Sequence, residues 1–141
     1  MNLSNSSFRL SLVLWIATIQ SILIGLCLIA FPASWMAALG LQVGGGRFFQ
    51  VQVAAFQFVM AAAYTWAALR LFSVRELIIL AILAKSIAAV FLLTYCLVVQ
   101  MIWVVLAAAA VEALMAVLIH HTLADCEKER VQRLGHLTPQ Q

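Results

Sequence analysis

The chain has 141 residues, of which 66% are hydrophobic and only 9% charged, with a formal net charge of +3. A soluble domain carries about 25% charged residues, so water is not the main solvent for this sequence. A charge of +3 spread over the chain also excludes a nucleic-acid footprint, and the apolar stretches leave little room for a separate soluble catalytic domain.

Residues Leu10 to Phe31 form an apolar run of 22 without a charge. That exceeds the roughly 7–15 apolar residues of a signal-peptide core, and Ala30-Phe31-Pro32 makes a poor small-x-small cleavage site. The run is therefore expected to stay as a first membrane helix over about 9–31, with Ser4, Asn5 and Ser6 as candidate caps. Pro32 ends it, because a proline pushes the residue before it out of the helical region. Pro32 to Gly40 is too short to cross a bilayer. With Trp35 inside it and Gly40 at its end, it reads as a short interfacial helix. Gly44-Gly45-Gly46 follows as a flexible joint.

The second span is expected over about 47–71 and the third over about 75–99, joined by Phe72-Ser73-Val74. The fourth covers about 101–121. No Gly or Pro marks the turn between the third and fourth spans, but length demands one. A single helix from Arg75 to His121 would be about 70 Å long, more than twice the hydrocarbon thickness. Gln100, between Tyr95 and Trp103, is the natural place. The tail 122–141 is expected to prolong the last helix to about Leu134, with Gly135 as the stop. The predicted fold is thus all-α, one integral membrane domain over 1–141: a four-transmembrane-helix bundle with a short interfacial helix between the first two spans.

Four spans put both termini on one side, together with Arg9, Arg70, Arg75, Lys128, Arg130 and Arg133; the other side has only Arg47. This asymmetry predicts that both termini lie in the cytoplasm.

Two opposite charges remain inside apolar segments: Lys85 in the third span and Glu112 in the fourth. A charge at bilayer depth costs about 2.5–3.5 kcal/mol on insertion scales, so such residues face a bundle interior and pair. In a hairpin of these two spans, Lys85 and Glu112 are symmetric about the bond between Val98 and Val99. They therefore lie at equal depth, roughly 20 Å below the outer turn. Small residues four apart flank each one, Ala81 and Ala89 around Lys85, Ala108 and Ala116 around Glu112, and allow close helix approach. Such a pair serves either to fix helix register or as a proton- or ligand-binding site.

Along the second span, Arg47, Gln50, Ala54, Gln57, Ala61, Tyr64 and Ala68 share one helix face. Arg47, Gln50, Gln57 and Tyr64 are expected to form an inward polar seam leading toward the charges. Thr18, Gln20 and Ser21 are the contributions expected from the first helix. Cys27 and Cys96 fall in the outer halves of their helices and are candidates for a redox pair. His120, His121 and Cys126 match no zinc spacing, so no metal is expected. No phosphate-binding loop, nucleophile elbow or haem-attachment motif is present, so nothing argues for an enzyme or names catalytic residues.

The first span ending in IAFPASWMAALGL, the Arg opening GGGRFFQVQVAAFQF and the embedded Lys of AILAKSIAAVFLL resemble the DoxX-like group of small four-helix bacterial membrane proteins. The resemblance marks Arg47 and Lys85 as family landmarks and implies a multi-pass place in the bacterial inner (cytoplasmic) membrane and a link to quinone-coupled redox complexes. No cofactor is expected from the residues themselves. Two functions are open: an accessory or scaffold subunit, with a membrane-protein partner or a second copy of the chain, and a proton-coupled carrier of a small solute using the Lys–Glu pair.

Overall fold

The computed structural model describes residues 5–41, 46–71 and 73–135. They form five helices and, among the described residues, no strand: α1 (Asn5–Ala30), α2 (Ala33–Ala38), α3 (Gly46–Leu69), α4 (Arg75–Val98) and α5 (Trp103–Gly135). Four of them, α1, α3, α4 and α5, are long and apolar enough to cross a membrane. The protein is an all-α, four-span integral membrane protein.

Helix α1 begins four residues earlier than its apolar run predicts, because Asn5 and Ser6 join the helix; Ser4 lies outside the described residues. Its end is set by Pro32, where the backbone turns extended (φ −67°, ψ 155°) and then caps α2. Pro32 accepts hydrogen bonds from the backbone amides of Trp35 and Met36. Gly40 stops α2 in the left-handed region at φ +77°. There the Gly40 amide bonds to the Ala37 carbonyl and the Leu41 amide to the Met36 carbonyl, closing the last turn in a Schellman motif. Trp35 is exposed while Met36 is buried, as suits a helix lying along a surface. Of the predicted glycine joint, Gly44 and Gly45 are outside the described residues and Gly46 opens α3.

The α4–α5 turn occupies residues 99–102, around Gln100. The amides of Val99 and Gln100 both bond to the Tyr95 carbonyl, which unwinds the helix without glycine or proline. Beneath the turn, Cys96, Ile102 and Val105 form a small apolar cluster with Leu41 packed on it. At the other end, α5 runs without a break into the polar tail. Its 33 residues make a rod of about 50 Å, some 20 Å longer than the hydrocarbon core.

Neighbouring helices pack in a ring: α1 on α3, α3 on α4, α4 on α5, and α5 back on α1. The pairs α1/α4 and α3/α5 are diagonal. The main core lies in the half nearer the termini and includes Leu10, Leu14, Tyr64, Ile78, Met115 and Ile119. Outward faces are apolar: Phe48, Phe91, Leu97, Val98 and Trp103 are each more than 70% exposed. Hydrocarbon covers such a surface without cost, whereas a water-soluble monomer rarely presents one.

Candidate functional site: a four-helix polar node

Lys85 and Glu112 lie between the two apolar clusters, at 3% and 6% exposure. The Lys85 Nζ is 2.8 Å from the Glu112 Oε2. The α4–α5 hairpin puts them at one level, as the symmetry of their positions about the turn predicts. Buried alanines flank the contact: Ala81 and Ala89 on α4, Ala109 and Ala116 on α5. Ala108, expected to flank Glu112, is only half-buried, and Ala109 takes the packing position instead.

The other two helices complete the node. From α1, Gln20 donates through Nε2 to the Glu112 Oε1 at 3.0 Å and accepts through Oε1 from the Lys85 Nζ at 3.3 Å. Only one amide orientation serves, with oxygen toward the ammonium and nitrogen toward the carboxylate. The three side chains thus close a triangle. From α3, the Tyr64 ring lies 5.4 Å from the same ammonium, within the range of a cation–π contact. Every spanning helix supplies one member. Each charge is met by an opposite charge and an amide dipole, which is what a low-dielectric interior requires.

The predicted seam on α3 reaches the node only through Tyr64. Ala54, Ala61 and Ala68 are buried, but Gln50 and Gln57 are half-buried and Arg47 is exposed. The expectation that Arg47 points inward is corrected, for a physical reason. Small residues bring α3 close to α1, which drives long polar side chains to the edge of the interface. A guanidinium at a helix end also gains by reaching toward water. The closeness is visible at Gly25, where an added Cβ would stand 3.1 Å from the Phe58 ring.

Hydroxyls line the α1–α3 contact. Thr18 donates to the Leu14 carbonyl at 3.0 Å. Thr65 donates to the Ala61 carbonyl at 2.9 Å and lies 3.5 Å from the Thr18 hydroxyl. Ser21, fully buried, has no hydrogen-bond partner for its Oγ among the described residues. Thr65 lies off the polar face of α3 that periodicity picks out, and its only signal in the sequence is a threonine beside Tyr64 in an apolar span. Gln20 was anticipated as polar, but its clamp on both charges comes from the tertiary structure.

The cysteine pair is also corrected. Cys27 is exposed and Cys96 buried, and both are free thiols. They sit on the diagonal helices α1 and α4, and the Cys96 thiol points to the Ile102 carbonyl at 3.8 Å. His120 and His121 are exposed with ring centroids 6.1 Å apart. No group of three metal-binding side chains occurs among the described residues. No family model, curated protein or solved structure matches the chain.

Proposed function

We propose that this small integral membrane protein is a scaffold or accessory subunit. In this reading its bundle is locked at mid-depth by the Gln20–Lys85–Glu112 triangle, and its apolar flanks associate with partner membrane helices. One observation carries the reading: both buried charges already have protein partners from other helices, so neither is left free to hold a substrate. The exposed apolar faces of α4 and α5 suit lateral association, and the basic residues near the termini favour an orientation with both ends in the cytoplasm. A place in a quinone-linked complex is the extension that the DoxX-like resemblance offers. Mild-detergent extraction from native membranes, followed by identification of co-purifying proteins, tests it. A stoichiometric membrane partner, or a stable dimer, is expected; repeated recovery of a lone monomer would sink the reading.

A second reading is a proton-coupled carrier. It draws on the Ser21 Oγ, one residue from Gln20 and without a hydrogen-bond partner among the described residues, and on half-buried Gln50 and Gln57 along the α3 face that leads to Tyr64. The double change Lys85→Met with Glu112→Leu separates the two. A scaffold keeps its partner once the bundle folds, whereas a carrier loses solute-coupled proton uptake in vesicles even when folded.

A further inference from the structure

At the end of the bundle that holds the termini, residues of α4 and α5 line a cleft of about 260 Å³. Arg75 and Glu127 stand at its mouth, joined by a 2.7 Å bond from Nε to Oε1. One turn deeper lie Ile79, Leu123 and Ala124. A further turn in, Ile82 and Leu83 face His120. The cleft is therefore charged at one end, apolar along its floor, and carries an imidazole at the deep end.

Its depth identifies the occupant. Counting about 18 residues of hydrocarbon crossing from Trp103 puts the membrane border near His120. Glu127 lies seven residues further on, about 10 Å along the helix. The cleft thus crosses the headgroup layer, where a glycerophospholipid spans a comparable length from its ammonium to its ester carbonyls. The mouth carries both signs, one guanidinium and one carboxylate, and no other Lys, Arg, Asp or Glu among the described residues lines the cleft. The Arg75–Glu127 bond uses one donor and one acceptor oxygen. Neither side chain has another hydrogen bond among the described residues, so the Nη groups and Oε2 retain bonding capacity.

We infer that this cleft is a selective site for a zwitterionic glycerophospholipid with a primary ammonium headgroup, in the leaflet nearer the termini. The phosphate accepts from the Arg75 Nη groups, and the ammonium donates to Glu127. His120 donates to an ester carbonyl, and one acyl chain lies over Ile79, Ile82 and Leu83. A trimethylammonium headgroup has no N–H to give Glu127, and an anionic glycerol headgroup meets an uncompensated carboxylate. The site stands independently of the scaffold reading.

The test is native mass spectrometry on the full chain, stripped of lipid in mild detergent and titrated in turn with phosphatidylethanolamine, phosphatidylcholine and phosphatidylglycerol. One phosphatidylethanolamine per chain is expected, bound about tenfold more tightly than either competitor, the worth of one charge-assisted hydrogen bond. Equal binding of all three would reduce the cleft to ordinary lipid contact and overturn the proposal, as would a preference for phosphatidylglycerol. Glu127→Gln should abolish the preference and Arg75→Gln should weaken all three lipids through their shared phosphate, with helicity and melting unchanged because an exposed pair contributes little stability. His120→Leu should weaken phosphatidylethanolamine and phosphatidylcholine alike. Should a single variant unfold, the exchange Arg75→Glu with Glu127→Arg keeps both signs and should keep the preference; indifference to the charge changes in folded protein overturns the assignment.

Discussion

Lys85, Glu112 and Gln20 hold one another in a geometry where no member is replaceable alone. Lys85→Met leaves the Glu112 carboxylate in the interior with only an amide for company, and Glu112→Leu strands the ammonium. Each single change should cost about 3–5 kcal/mol, the usual result of breaking a buried pair. The double change removes both charges and should regain most of that loss. Thermal melts of helicity in detergent measure it, and a double variant no better than the singles would deny the pair its structural role. Gln20→Leu keeps the ion pair but takes one partner from each charge. Its expected cost is smaller, about 1–3 kcal/mol, the penalty for stranding a buried acceptor; unchanged melting would make the amide incidental. The charges were legible in the sequence because apolar surroundings make them conspicuous. Gln20 was not singled out from Thr18 and Ser21, because helix periodicity places a residue on a face without saying how far its side chain reaches.

The helices themselves were largely legible, and their departures have local causes. Pro32 and Gly40 punctuate the chain at α2 as their backbone preferences require. Gly40→Ala should cost about 1–2 kcal/mol, the penalty of a Cβ at positive φ, with the new methyl 3.4 Å from Ile102. The loss should appear as a lower melting temperature and faster hydrogen exchange over 33–41. In α1, Gly25→Ala pushes a methyl toward the Phe58 ring and should destabilise the α1–α3 contact by about 1–3 kcal/mol, the range for overpacking. Adding Phe58→Leu should relieve most of it, which a double-mutant cycle reads directly; no relief would place the crowding elsewhere. The α4–α5 turn lacks any breaker residue, and only the length of an unbroken helix against the bilayer marks it in the sequence.

Across the whole molecule, ring order decides which residues can ever meet. Cys27 and Cys96 both fall in the outer halves of their helices, yet those helices are diagonal, so a shared half of the bundle does not bring the thiols together. Oxidised gently, the purified chain should form no Cys27–Cys96 disulfide, and its intact mass should show no loss of two hydrogens within a monomer. Detection of that bridge by peptide mapping would require α1 beside α4, contrary to the ring. The same order explains why Gln20, on a diagonal from Lys85, bonds to it only through a long side chain that crosses the centre of the bundle.

Hydropathy, a proline, a few glycines and two embedded charges were enough to determine four spans, one surface helix and the shared level of Lys85 and Glu112. These properties follow from the bilayer's thickness and from helix rise, both of which act along the chain. The tertiary structure alone decided that Gln20 closes the triangle, that Tyr64 joins while Arg47 stays outside, and that Cys27 and Cys96 remain apart. Those outcomes depend on which helix lies beside which and on how small side chains set their spacing, and neither is written in the order of residues along any one helix.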